Sequence, residues 1–274
     1  MHASDVVMVA RRRVRADALL VERGLFESRS RAAGAVLAGE VRAGGVVVEK
    51  PGQLVPVDVE LAVADAPRYV SRGGVKLANA LAASGVEVAG RLALDVGAST
   101  GGFTDCLLQA GAAHAVALDV GYGQLDWRLR GDPRVTPLER TNARALSAAL
   151  LPYAPELIVV DVSFISLRTL LPAVLACAAP RFDALALVKP QFEVGRGAVG
   201  KGGVVRDAGA RVGALVAVGE WALRAGWSVL GYWSSGLPGP KGNRETFLQL
   251  AEGGRAGALA ADELANAASR GDAG

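Results

Sequence analysis

The chain has 274 residues and 51% hydrophobic content, enough for one large or two modest domains with buried cores. Its hydrophobicity comes from Ala, Val and Leu rather than aromatics, and 35 Gly suit an α/β protein with many tight turns better than a β-sandwich. A net charge of +3 gives no general case for an acidic partner, while two Cys and two His without metal-ligand spacing argue against a zinc site or a disulfide framework.

Positions 10 to 50 carry nine basic and five acidic residues, a local charge of +4, so any basic footprint sits at this end. The apolar start precedes the arginine run instead of following it, which is not the order of a secretory signal. From Arg15, the residues Ala18, Leu19, Val21 and Leu25 recur at helical spacing until Gly24 marks a stop. Ser28 is a candidate N-cap for a second helix reaching Leu37 and ending at Gly39. Residues 41–48 alternate around Gly44-Gly45 as a hairpin would, and Lys50-Pro51-Gly52 turns the chain into a third strand over 55–63. The run from Arg15-x-Asp17-x-Leu19-Leu20-Val21 to Gly39-x-Val41-x-x-Gly44 resembles the αL RNA-binding module. That resemblance assigns residues 10–63 to a small α+β RNA-binding domain, with Arg13, Arg15, Arg29 and Arg31 offered to RNA phosphates. A solvated basic face on a small helical domain is the other reading of the same arginines.

A linker is expected over 64–70 and a second domain over 71–252. Apolar strands over 91–94, 115–118, 135–138, 157–160 and 185–188 alternate with helical patterns, which predicts a parallel, doubly wound sheet. Closing strands are expected over 227–232 and 247–250. The first of these strands runs into Asp95-Val96-Gly97-Ala98-Ser99-Thr100-Gly101, where glycines would let backbone approach a ligand before a helix starts. The middle glycine of a dinucleotide loop is missing, and Asp119 ends the next strand where a ribose diol would be held. An acid, a glycine turn and a second acid fit S-adenosylmethionine better than NAD, although structural glycines in a tight turn would look similar. The stretch from Gly195 to Lys201 is followed by Gly202 where a phosphate loop needs Ser or Thr, so a flexible loop is expected there.

Asp161 and Lys189 each close an apolar strand, the edge at which substrates of such sheets bind. They form either a structural ion pair or a carboxylate and an amine available as a base.

The motifs Ser71-Arg72-Gly73-Gly74-Val75-Lys76, Asp95 to Thr104, Asp119-Val120-Gly121-Tyr122-Gly123-Gln124, Glu139-Arg140-Thr141-Asn142, Ser163-Phe164-Ile165-Ser166 and Val188-Lys189-Pro190-Gln191-Phe192-Glu193 together resemble the TlyA family, over nearly the whole chain. The resemblance implies a Rossmann-like S-adenosylmethionine-dependent methyltransferase of the FtsJ type behind the αL module. It also implies methylation of a cytidine ribose 2′-hydroxyl in 23S and also 16S rRNA, with the 50S and 30S subunits as partners. The catalytic tetrad then falls on Lys76, Asp161, Lys189 and Glu245, with Lys189 as base and no metal. Cofactor contacts fall on Asp95, Gly97, Ser99, Thr100, Gly101, Asp119, Asn142 and Phe164, and further RNA contacts on Arg72, Arg140, Arg144 and Arg196. All four tetrad residues are expected where a strand or helix meets a loop. A monomer in the cytoplasm is expected. A non-catalytic assembly factor would keep the fold without turnover, and a membrane-active cytolysin lacks a spanning or strongly amphipathic basic helix. The tail from Gly253 is expected to be loosely ordered apart from a short helix over 261–268.

Overall fold

A computed structural model describes residues 12–37, 39–63, 68–195, 199–200, 202–239 and 241–274. Arg196 and part of the expected linker lie outside them. The chain divides into two compact units, 1–68 and 69–274.

In the first unit, β1 (Arg13–Arg15) leads into α1 (Ala16–Glu22) and α2 (Arg29–Leu37), followed by β2 (Val41–Ala43), β3 (Val46–Val47), β4 (Leu54–Pro56) and β5 (Leu61–Val63). Ala16, Leu19, Leu20, Ala32 and Val36 of the two helices bury against Val41, Val48 and Val55. The helical hairpin and the β2–β3 turn agree with the expectation, but the third strand does not stay whole. Alternation continues through Val57 and Val59, yet β4 ends at Pro56 and pairs with β1, while β5 pairs with β2. β1 was not foreseen, because its three residues are two arginines and one valine.

The second unit opens with α3 (Arg72–Ser84) and continues β6 (Leu92–Val96), α4 (Gly102–Gln109), β7 (His114–Leu118), α5 (Trp127–Arg130) and β8 (Val135–Leu138). The chain then crosses back to β9 (Leu157–Val160), α6 (Leu167–Leu175), β10 (Asp183–Val188), α7 (Pro190–Glu193), α8 (Ala208–Arg224), β11 (Ser228–Ser234), β12 (Thr246–Ala251) and α9 (Leu264–Ala273). One sheet of seven strands runs β11-β12-β10-β9-β6-β7-β8. The five from β10 to β8 are parallel, whereas β12 pairs antiparallel with β10 and β11 with β12. Both faces are covered: Leu94, Ile158 and Val188 point to one core, and Ala93, Val159 and Leu187 to the other. This is why the strands read as unbroken apolar runs. The order reverses between β6 and β9, so a crevice opens beyond their carboxyl ends, the site of ligand binding in open α/β sheets.

Two expectations at the domain margins are corrected. Tyr69 belongs to the core of the second unit instead of a linker: it is buried, and a Cβ on Gly74 would lie 2.3 Å from its ring. The tail is folded, since Leu264, Ala267 and Ala268 of α9 bury against the sheet and Asp272 pairs with Arg211 at 2.8 Å.

Candidate active site

The turn after β6 is built for close approach. Gly97 has φ +87°, and a Cβ there would lie 2.2 Å from the Asp161 carbonyl oxygen, so only glycine fits without displacing the neighbouring strand end. Ser99 also takes a left-handed φ of +49°, and its N–H donates to Asp119 Oδ2 at 2.8 Å, while Gly121 N–H donates to Oδ1 at 2.6 Å. At Gly101, φ is +95° and a Cβ would meet Leu129 at 2.3 Å.

These constraints leave a cleft of about 720 Å³ whose lining includes Gly97, Ser99, Asp119, Asn142, Asp161 and Phe164. Its size falls within the range of small-molecule sites, about 300–1,000 Å³. Asn142 also accepts the Arg144 N–H through Oδ1 at 3.1 Å and so caps the short turn that forms part of the wall. Thr100 lines a smaller adjoining cleft with Lys76 and Asp161.

Asp95 departs from expectation, for it lines neither cleft. Its carboxyl is fully buried beneath the turn, where Oδ2 accepts from Thr104 Oγ1 at 2.7 Å and Oδ1 has no hydrogen-bond partner among the described residues. Burial pushes its pKa up to about 7, against the lowering effect of the Thr104 bond and with a further rise from the Asp161 charge. Asp95 therefore packs beneath the turn, outside the lining of these clefts.

The four tetrad residues do converge. Asp161 and Lys189 follow the adjacent strands β9 and β10, and Lys189 Nζ stands 2.6 Å from Asp161 Oδ1 and donates to Ser163 Oγ at 3.0 Å. Glu245 immediately precedes β12 and accepts from Lys76 Nζ in a buried ion pair. A Cβ on Gly239 would lie 2.4 Å from Glu245 Oε1, so bare backbone packs against this carboxylate. Lys76 sits within α3 and not at a loop boundary, which corrects the expectation for that residue. All four line a single cleft of about 480 Å³. That cleft and the glycine-turn cleft share Asp161, Ser163 and Phe164 as a common wall.

Three residues at this junction were not singled out from sequence. Ser163 touches the Lys189 amine. Glu193 accepts from Ser166 Oγ and from Leu167 N–H, both at 2.7 Å, and so joins the segment after β10 to the segment after β9. Asn243, also buried, accepts from Val205 N–H at 2.9 Å and donates to Gly203 O at 2.8 Å. Ser163 and Glu193 lay inside quoted motifs, but nothing in the sequence says which motif residue touches which. Phe164 was placed with the cofactor residues. It stands 91% exposed with φ +66°, its ring 5.3 Å from that of Phe192, and it lines both clefts.

The expected RNA-contacting arginines divide into two groups. Arg15 and Arg29 are committed to the buried Asp17, at 2.8 and 3.0 Å, and Arg15 foremost holds that carboxyl down at a pKa of about 2. Arg13 and Arg31 are exposed, with Arg13 donating to Leu54 O at 2.9 Å and Arg31 beside the exposed Glu27. In the second unit, Arg72 donates to Pro238 O at 2.7 Å, Arg140 lies 4.1 Å over the Tyr122 ring with φ +53°, and Arg144 lines the larger cleft. Among the described residues, no helix is long and apolar enough to cross a membrane.

Comparison with known proteins gives the same two parts. Residues 69–252 match the family described as FtsJ-like methyltransferase, and residues 14–61 match the S4 domain. The chain is 54% identical, over 87% of its length and 90% of the relative's, to the 16S/23S rRNA (cytidine-2′-O)-methyltransferase TlyA of Mycobacterium tuberculosis. It is 39% identical to Hemolysin A of Brachyspira hyodysenteriae, over 85% of this chain and 97% of that one. A solved structure from Streptococcus thermophilus, also named for hemolysin, superposes with a TM-score of 0.72 at 38% identity, covering 96% of each chain. The chain belongs to the TlyA family of FtsJ-like methyltransferases carrying an N-terminal S4 domain.

Proposed function

We propose that the protein transfers a methyl group from S-adenosylmethionine to the ribose 2′-hydroxyl of cytidine in 23S rRNA and in 16S rRNA, with the large and small ribosomal subunits as substrates. The observation that carries this reading is the shared wall of the two clefts: a Lys–Asp pair and a Lys–Glu pair gather in one of them, directly beside the glycine-turn cleft.

The larger cleft fits the cofactor. Backbone at Gly97 and Ser99 would hold the methionine end, Asp119 the ribose diol, and Asn142 with the adjoining turn the adenine. Asp119 and Asp161 in its lining favour a cationic ligand over a dinucleotide pyrophosphate. When bound, S-adenosylmethionine supplies an electrophilic methyl group on a positively charged sulfur.

Within the second cleft, Lys189 Nζ would take the 2′-hydroxyl proton as the ribose oxygen bonds to the methyl carbon, and the methyl–sulfur bond would break with its electron pair left on sulfur, giving neutral-sulfur S-adenosylhomocysteine. Asp161 orients the amine and balances the charge it gains. Lys76, fixed by Glu245, places a second cation beside the oxygen as negative charge develops there. Most of the acceleration comes from holding the oxygen in line with the methyl group. Phe164 offers an aromatic face at the mouth, where stacking a base contributes about 1–3 kcal/mol.

The test is tritiated methyl transfer to separated, unmodified 30S and 50S subunits. Wild type is expected to label both, and Lys189→Ala to cut the rate at least ~100-fold, the size of a general-base contribution, with cofactor affinity retained. Cofactor binding without transfer by wild type to either subunit would sink the proposal and favour a non-catalytic ribosome-assembly role.

A further inference from the structure

We propose that Ser163 is a positioning residue for the base: its hydroxyl, together with Asp161, fixes the lone pair of Lys189. The inference rests on the methyltransferase reading above and adds a residue to it. A deprotonated lysine amine has two N–H bonds and one lone pair in a tetrahedral array. Lys189 Nζ donates a hydrogen bond to Ser163 Oγ at 3.0 Å, whereas Asp161 Oδ1, 2.6 Å away, is an ion-pair contact that lacks hydrogen-bond geometry. Once one N–H is held by Ser163 while the Asp161 charge draws the amine from the other side, rotation about the terminal bond is restricted and the lone pair keeps to fewer directions. With Asp161 alone, the amine rotates about its terminal bond and the lone pair spends much of its time misdirected.

The surroundings show that Ser163 is held in place. The next residue, Phe164, has φ +66°, a strained conformation for a bulky side chain that persists only where neighbours enforce it. Two contacts from the segment after Lys189 provide that enforcement. The Phe192 ring packs 5.3 Å from Phe164, and the Glu193 carboxylate accepts from Ser166 Oγ and Leu167 N–H at 2.7 Å each. From the other side, Gly97 packs against the Asp161 carbonyl, and Asp161 N–H donates to Val96 O at 2.9 Å. The ion-pair partner and the hydrogen-bond acceptor of Lys189 are thus anchored independently, one by the glycine turn and one by the segment that carries the lysine itself.

The experiment measures single-turnover methyl transfer at saturating cofactor and ribosomal subunit, with cofactor Kd by titration and a melting curve for each variant. Ser163→Ala is expected to lower the transfer rate about 10- to 100-fold, the size of one hydrogen bond to a group that becomes charged. Its cofactor Kd should stay within about twofold of wild type. Ser163→Thr keeps the hydroxyl and is expected to recover most of the rate. A residue that only shaped the loop would lower melting temperature, or cofactor and RNA affinity, and threonine would not restore the rate. An active wild type whose Ser163→Ala variant transfers at the same rate overturns the assignment of Ser163 and leaves the methyltransferase reading standing. The same holds if the loss follows cofactor affinity. A wild type that transfers to neither subunit overturns both.

Discussion

Asp95 is an acid held far from its ordinary state by burial. Its pKa near 7 in the folded protein lies roughly three pH units above that of an exposed aspartate, each unit corresponding to ~1.4 kcal/mol. The folded state binds this proton more tightly than the unfolded chain, so between about pH 4 and pH 7 folding stability falls as pH rises, by an amount of the order of 4 kcal/mol. Below that window both states are protonated and above it both are ionised, so the contribution levels off. Without cofactor, wild type should therefore lose melting temperature between pH 5 and pH 8 more steeply than Asp95→Asn, which has no proton to lose. Parallel curves would mean that the buried carboxyl is not the titrating group. The acid itself was legible in the sequence, because it closes an apolar strand before a glycine turn. Its inward direction was not, since that depends on Thr104, nine residues on, offering the bond.

At the scale of elements, what could be read followed side-chain size. The parallel strands are rich in Val and Leu, and their limits fall within a few residues of expectation. In α9, Leu264, Ala267 and Ala268 stand at helical spacing and are buried, yet alanines carry so little apolar surface that the tail reads as loose. What fixes α9 includes Arg211 on α8 and Arg244 before β12, far away in the chain. α3 was hidden for a similar reason: Gly73, Gly74 and four alanines among its residues let it pack closely on α4, and a Cβ on Gly102 would lie 2.2 Å from Ser71 Oγ. The glycine turn after β6 shows the opposite case, a signal strong in sequence and strict in structure. Gly97→Ala places a methyl group 2.2 Å from a carbonyl oxygen in a backbone conformation costing about 1–3 kcal/mol for other residues. It should lower thermal stability and weaken cofactor binding at least ~10-fold, because Asp161 and Ser99 both move. Calorimetric titration of the variant with wild-type affinity would show that the turn yields without cost.

At the scale of the whole molecule, the proposal puts the chemistry in the second unit and divides the RNA contacts between the two. The lining named above for the clefts belongs to the second unit. Two of the expected arginines, Arg15 and Arg29, also serve the folded state by pairing with Asp17. Asp17 is buried and accepts from both Arg15 and Arg29, so removing either partner leaves a buried carboxylate under-compensated, a change that costs stability as well as charge. Arg13 and Arg31 are exposed and nothing buried depends on them. Arg13→Glu and Arg31→Glu should each weaken binding to ribosomal subunits while leaving the melting curve and cofactor Kd unchanged. Each should also reduce the slope of log affinity against log salt by about 1, as expected for one lost phosphate contact. Arg29→Ala should instead lower the melting temperature of the first unit, and RNA affinity should fall with it. Binding titrations over a range of KCl concentrations, run beside thermal melts, separate the two behaviours. If Arg13→Glu and Arg31→Glu bind subunits with the wild-type salt slope, the basic face of the first unit does not meet phosphate, and recognition would have to come from Arg72, Arg140 and Arg144 around the catalytic clefts.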